Sequence, residues 1–102
     1  MLKAQAKKMA IDYLYEDVAW AEKIKPLIYD DKTIGTDFGW IFFYQSEEYI
    51  LTKENPLAGN GALMVDKDHN ILIVTGSGEP IGFYIDLYKK NRGNADKFYN
   101  SY

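Results

Sequence analysis

The chain contains no cysteine, and histidine occurs once among its 102 residues. Without thiols there is no disulfide, no thiolate nucleophile and no cysteine-ligated zinc, so we expect a protein of the reducing cytoplasm. General-base catalysis by an imidazole would depend on His69 alone. These absences leave carboxylates, amines, hydroxyls and aromatic rings as the groups available for function.

Long apolar runs are missing too. No window approaches the roughly 18 apolar residues of a membrane span, and "MLKAQAKKMAIDYL" lacks the continuous apolar segment of a secretory signal. We therefore expect no membrane association. The 12 Lys and Arg are outnumbered by 15 Asp and Glu, giving a net charge of −3. This balance weighs against nucleic acid as a partner and suits a basic protein.

Aromatic side chains, in contrast, are abundant, with nine Tyr and five Phe. A hydrophobic fraction of 47% excludes disorder of the whole chain, and the length favours one domain. We expect that domain over residues 1–91. Residues 92–102, "RGNADKFYNSY", have no periodicity and are predicted to form a C-terminal tail whose aromatic residues are able to dock on the domain.

Two helices follow from apolar residues spaced three and four apart. The apolar pattern of the first extends from Leu2 to about Leu14, and the helix is predicted to end or fray between Tyr15 and Ala21, because Asp17 would otherwise enter its apolar stripe. The second begins near Pro80, with Ser77 either its N-cap or a residue of the preceding loop. The predicted buried stripe of this second helix consists of Ile81, Tyr84, Ile85 and Tyr88.

Between the helices the pattern predicts four strands. An extended segment over 27–36 has a kink at Asp30-Asp31, and Trp40–Tyr44 is apolar on both faces, which predicts a central strand. Strands at Ala62–Val65 and Ile71–Thr75 flank a polar turn, as in a hairpin. Ser46 either caps a short helical turn or continues a strand. The predicted fold class is therefore α+β, with an N-terminal helix, a four-stranded antiparallel sheet of two hairpins and a C-terminal helix.

The glycine-rich stretch "NPLAGNGALMVDKDHN" raises the question of a ligand loop. It has no Lys or Ser/Thr at the positions that a phosphate-binding loop requires, and it leads into a strand rather than a helix. Asp66, Asp68 and Asn70 match the first three ligand positions of a calcium loop, but Ile71 and Ser77 stand where Gly and Glu are required. We predict ordinary turn chemistry and no metal.

No catalytic constellation is visible in the sequence. His69 falls in the predicted hairpin turn, where we expect exposure to solvent. The adjacent carboxylates Asp30-Asp31 and Glu47-Glu48 would point to opposite faces of a strand, which is unsuited to a shared proton. The aromatic strand "GWIFFYQ" is flanked by acidic residues, so core packing is favoured over base stacking. We predict no enzyme activity and no cofactor.

Three segments, "GWIFFYQSEEYI", "LAGNGALMVDKDHNILIVTGS" and "PIGFYIDLY", together resemble the immunity protein 35 family of bacteria. The family pattern combines a Gly-Trp-x-Phe strand, a Leu-Ala-Gly-Asn corner, a Val/Ile-Asp-Lys turn, a Gly-Thr pair and a Pro-x-x-x-Tyr-Ile-x-x-Tyr helix. The resemblance extends from about residue 4 to residue 91, with Ser77 in place of the usual Thr. The matching signature residues are Gly39, Trp40, Phe42, Gly59, Asn60, Gly76, Pro80 and Tyr84.

The resemblance implies a small α+β immunity protein of a polymorphic toxin system, which binds and neutralises a cognate toxin domain without catalysis. The signature residues are then structural: Trp40 anchors the core, while Gly59 and Gly61 allow unusual dihedrals and Asn60 hydrogen-bonds locally at a backbone corner. The alternative is a small chaperone-like stress protein that binds unfolded clients. For the toxin contact we predict a surface comprising Asp30, Asp31, Glu47, Glu48 and Tyr49.

Overall fold

The computed structural model describes residues 1–102 and has an α+β architecture. The helices are α1 Lys3–Leu14, α2 Val18–Ile24, α3 Glu47–Thr52, α4 Ile81–Lys90 and α5 Ala95–Tyr99. The strands are β1 Pro26–Ile28, β2 Ile34–Thr36, β3 Gly39–Phe42, β4 Tyr44–Ser46, β5 Leu63–Asp66 and β6 Ile71–Val74.

The main sheet has four antiparallel strands in the order β2-β3-β5-β6, which confirms the predicted fold class and its two hairpins. In the β5–β6 hairpin, Asp66 is opposite Ile71. In the β2–β3 hairpin, Thr36 is opposite Gly39. Gly39 has φ +152°, and a Cβ there would lie 2.0 Å from the Val65 carbonyl oxygen, so this position requires glycine.

Strand β3 lies inside the sheet and is covered on both faces, as its apolar pattern predicts. Phe42 packs with Leu63, Val65 and residues of α1 on one face, where Trp40 and Tyr44 join the cluster half-buried. Ile41 faces the opposite side. The cluster there contains Phe38, Ile41, Ala62, Met64, Ile73, Tyr84, Tyr88 and Phe98. The sheet is therefore a layer between α1 and the C-terminal helices.

A second, two-stranded ribbon divides two segments that the pattern predicts as continuous. The extended segment 27–36 is split, because β1 pairs with β4 while β2 pairs with β3, and a 3₁₀ turn at Asp30–Lys32 separates them. The strand predicted over Trp40–Tyr44 likewise breaks at Phe43, whose carbonyl accepts the Tyr29 N–H at 2.7 Å. Each of the two segments therefore contributes one strand to the ribbon and one strand to the main sheet.

Two short helices begin at side-chain caps. Helix α1 ends at Leu14, one residue before the predicted interval from Tyr15 to Ala21. The Asp17 carboxylate then accepts the Trp20 N–H at 3.1 Å to begin α2. Helix α3 begins at Ser46, whose Oγ accepts the Tyr49 N–H at 3.1 Å. Since Ser46 also ends β4, both roles predicted for it are present.

Residues 92–102 fold back onto the sheet. Helix α5 places Phe98, with no exposed surface, against Tyr88 in the core. The Tyr99 hydroxyl accepts the Val74 N–H at 2.8 Å, and the Tyr102 ring packs edge-on against Tyr84 at 5.2 Å. The aromatic residues of the tail are therefore part of the packing of the whole chain.

Candidate functional site

The glycine-rich corner joins three distant parts of the chain. Gly59 has φ +73°, which explains the glycine at that position. The expectation of unusual dihedrals at Gly61 is wrong, because Gly61 does not have a positive φ. A Cβ there would lie 1.9 Å from the Thr75 carbonyl oxygen, so the close backbone contact explains the glycine at this position. The Asn60 side chain donates to the Tyr44 carbonyl at 3.1 Å, a long-range bond rather than the local one expected.

The loop before α4 contacts this corner. The Ser77 hydroxyl donates to the Gly59 carbonyl at 3.3 Å, so Ser77 is the loop residue of the two predicted possibilities, and Pro80 directly precedes the helix. Gly76 lies against the Tyr84 hydroxyl, which a Cβ would approach to 2.8 Å. Gly59, Asn60, Gly76 and Tyr84 therefore hold backbone segments together.

The hairpin turn contains a buried carboxylate with donors on every side. Asp66 Oδ1 accepts the N–H groups of Asp68 and His69 at 2.9 and 3.1 Å, which is the predicted turn chemistry. Asp66 Oδ2 accepts from the Tyr88 hydroxyl at 2.7 Å and from Arg92 Nε at 3.3 Å, and it lies 3.0 Å from His69 Nδ1. Arg92 also pairs with Asp68. This Asp66 network ties the turn to α4 and to the C-terminal segment.

The network shifts two titrations in opposite directions. Burial acts to raise the pKa of Asp66, but hydrogen bonds from Tyr88, Arg92 and two backbone N–H groups outweigh it and lower the pKa to about 2. Burial, followed by the hydrogen bond to Asp66, raises the pKa of Tyr88 to about 12. The pair therefore stays a carboxylate and a neutral phenol across the ordinary pH range.

His69 is the residue on which an imidazole mechanism would depend. Its side chain is 45% exposed, as expected for a turn, and an acid lies in orienting distance at Asp66. However, the ring lies against Gly93 and lines none of the five main surface depressions. Its acid partner is shared with Tyr88 and Arg92, so the arrangement is that of a structural network.

The predicted acidic contact residues do not form one cluster. Asp30 and Asp31 follow the end of β1, whereas Glu47 and Glu48 follow the end of β4; because these strands are antiparallel, the two pairs lie at opposite ends of the ribbon. Asp30 pairs with Lys7 at 2.8 Å. Glu48 accepts from the Asn55 side chain at 2.8 Å.

Tyr49, the fifth predicted contact residue, belongs to a cation–aromatic surface. The Lys53 ammonium lies 5.4 Å from the centre of the Tyr49 ring and 5.6 Å from that of Tyr29. The Lys32 ammonium lies 5.1 Å from the same Tyr29 ring. Sequence spacing does not indicate this grouping, because the ribbon and α3 bring its members together.

The surface depressions are open. The largest, about 520 Å³, lies between α1, β6 and Tyr99. A depression of about 170 Å³ lies beside the glycine-rich corner and Tyr84. No three His, Cys, Asp or Glu side chains are grouped so as to hold a metal ion, and no helix is long and apolar enough to cross a membrane. The geometry describes a small α+β domain that offers surfaces and grooves.

Comparison with known proteins identifies the family of the chain. The family model for Immunity protein 35 matches residues 4–83. The chain belongs to the Immunity protein 35 family. No curated protein and no solved structure gives a significant match.

Proposed function

We propose that the protein binds a cognate bacterial toxin domain in the cytoplasm and neutralises it without catalysis. Family membership over residues 4–83 carries the proposal, because immunity proteins protect by binding. An acidic chain with a net charge of −3 fits a basic protein partner, which it would attract over a distance.

The arrangement of polar groups supports binding rather than catalysis. The buried carboxylate of Asp66 is occupied by Tyr88, Arg92 and backbone N–H groups, so it is not poised to activate a substrate. In contrast, several tyrosines are partly exposed, including Tyr13, Tyr15 and Tyr99 at 38%, 43% and 40%. Exposed tyrosine is enriched at protein–protein contacts.

The acidic residues at the ends of the ribbon are the proposed sites of electrostatic attraction. Asp30, Asp31, Glu47 and Glu48 would speed the approach of a basic toxin, and Tyr49 would contribute aromatic contact area. Charge reversal at the four acidic positions is expected to slow association roughly tenfold at low salt, with a smaller change in dissociation. Association as fast as wild type at low salt would contradict this assignment.

Co-expression tests the function. The probe is the C-terminal domain of a large secreted protein sought among the genes adjacent to this one, placed under an inducible promoter in a host that lacks the immunity gene. We expect growth arrest when the domain is induced alone, rescue by this protein, and a stable complex on gel filtration. Arrest without rescue, although the immunity protein is expressed and folded, would refute the proposal.

The chaperone-like alternative makes a different prediction on the same purified material. It requires weak binding to many unfolded clients and suppression of their aggregation, with no tight single partner. Under our proposal the protein leaves the aggregation of an unrelated heat-denatured enzyme unchanged. Suppression at equimolar concentration, together with absence of a toxin complex, would favour the alternative.

A further inference from the structure

The groove between α1 and β6, here the α1–β6 groove, is an uncovered part of the sheet. Helix α1 packs on β3 and β5, whereas β6 is the edge strand beyond them. Leu72 and Val74 of β6 are therefore only half-buried on the α1 side and form the apolar floor. Met9 and Tyr13 form one wall of the groove, and Tyr99 forms the other. The volume of the groove is about 520 Å³.

The groove has the composition of a protein contact centre. Its floor is aliphatic, and its walls carry two tyrosines that are 38% and 40% exposed, Tyr13 and Tyr99. Aromatic walls around an apolar floor are the setting in which a single partner side chain contributes most to affinity. The volume accommodates one or two large side chains rather than a whole helix.

The charges of the groove define what enters it. Its only charged lining residues are Asp12 and Glu16, and no Lys or Arg lines it. The Asp12 carboxylate forms an exposed ion pair with the Lys8 ammonium at 2.8 Å, whereas Glu16 forms no ion pair. An acidic rim over an apolar floor complements an apolar side chain flanked by Lys or Arg.

Backbone pairing at this edge is blocked. The Val74 N–H points away from β5 and is taken by the Tyr99 hydroxyl at 2.8 Å. A strand added along β6 would have to displace Tyr99. Tyr99 therefore covers this sheet edge, and natural proteins commonly cover sheet edges to prevent strand addition. The groove is therefore suited to side-chain insertion from a partner surface.

We infer that the α1–β6 groove seats an apolar side chain of the toxin domain, with neighbouring Lys or Arg residues of the toxin facing Asp12 and Glu16. This inference rests on the proposed function, and it adds the surface and the chemistry of the partner segment. The contact is anchored by burial on Leu72 and Val74 and oriented by the acidic rim.

The test uses the full chain and the same candidate toxin domain as the co-expression experiment, in purified form. Affinity is measured by titration calorimetry for wild type, Glu16→Lys and Tyr13→Ala. The matched controls are Glu22→Lys, an exposed and unpaired position on α2, and Phe83→Ala, a 41% exposed aromatic residue of α4, since neither residue lines the groove. Circular dichroism and thermal unfolding establish that each variant is folded.

We expect Glu16→Lys and Tyr13→Ala each to weaken binding about tenfold or more, while the controls stay within about threefold of wild type. An amide chemical-shift titration with the same toxin domain should place the largest changes at Met9, Leu72 and Val74. Because this readout needs no substitution, it remains decisive if a variant fails to fold.

Three results would overturn the inference. If wild type binds the toxin but both groove variants bind equally well and the shifts lie elsewhere, the groove is not the contact. If sedimentation of the protein alone shows a dimer that Glu16→Lys dissociates, the occupant is a second copy. If wild type binds no toxin at all, the proposed function fails first, and the groove inference fails with it.

Discussion

At the scale of single residues, the Asp66 carboxylate accepts hydrogen bonds from several parts of the chain. It is 1% exposed and receives hydrogen bonds from its own turn, from α4 and from Arg92. Since a buried carboxylate is stable only when its oxygens are satisfied, the turn, the helix and the C-terminal segment have to be in place together.

Asp66 predicts how stability depends on acid. Its pKa falls from 3.8 to about 2 on folding, so between these values the unfolded chain binds a proton that the folded chain does not. The contribution is complete above pH of about 4 and is lost as pH falls through about 2, amounting to about 2 kcal/mol. Asp66→Asn should lower the free energy of unfolding at neutral pH by roughly 2–3 kcal/mol and flatten this acid limb.

Urea unfolding at a series of pH values measures both effects. Asp86→Asn, on the exposed side of α4 and outside every ion pair, is the matched control and should change stability by less than about 0.5 kcal/mol. An Asp66→Asn protein as stable as wild type at pH 7 would show that the network contributes nothing.

Two glycines differ in the space available for a side chain, so replacing each by alanine should have opposite effects on stability. At Gly61 a Cβ would overlap the Thr75 carbonyl, so Gly61→Ala should destabilise the protein by about 3 kcal/mol or more. At Gly82, inside α4, nothing lies within 4 Å of the added carbon, so Gly82→Ala should stabilise it by about 0.5–1 kcal/mol. Thermal and urea unfolding of both variants check the predicted opposite signs. Equal effects would contradict the structure at the corner.

At the scale of elements, periodicity predicted the long helices because their residues repeat between core and solvent. The central strand was predictable because its run is apolar on both faces. The ribbon was not predictable in the same way. Its strands have three residues each, and which of them pairs with which depends on the break at Phe43, a tertiary feature. Helix α5 has five residues, too few for periodicity to indicate it.

Residues of the candidate surfaces were predictable only as types. The turn chemistry of Asp66 followed from its Asp-rich segment, but its bonds to Tyr88 and Arg92 span 22 and 26 positions. The α1–β6 groove likewise combines α1 with β6 and Tyr99, which are far apart in the chain. Local pattern contains no information on such contacts, whereas it does contain the buried stripe of α4.

Helix α5 predicts that the C-terminal segment is needed for stability. Phe98 is fully buried against Tyr88, so Phe98→Ala should lower the free energy of unfolding by about 3–5 kcal/mol. Lys97→Ala, exposed on the same helix, is the control and should have an effect within about 0.5 kcal/mol. Chemical denaturation compares the two, and equal stability of the two variants would mean that the tail does not pack as described.

At the scale of the whole molecule, the sheet and its two helical layers form a small rigid body whose functional capacity lies on its surface. In our proposal the acidic ribbon ends attract the partner at a distance, and the α1–β6 groove is the place of close contact. Membership of the Immunity protein 35 family supports the proposal that these features belong to one toxin-binding surface.

Titration calorimetry of the purified protein into the purified toxin domain, with toxin activity assayed in the same mixtures, tests this account most directly. We predict one-to-one binding with a dissociation constant in the nanomolar range or below, and inhibition that is complete at equimolar protein. Absence of measurable heat, with the toxin fully active in the presence of excess folded protein, would contradict it.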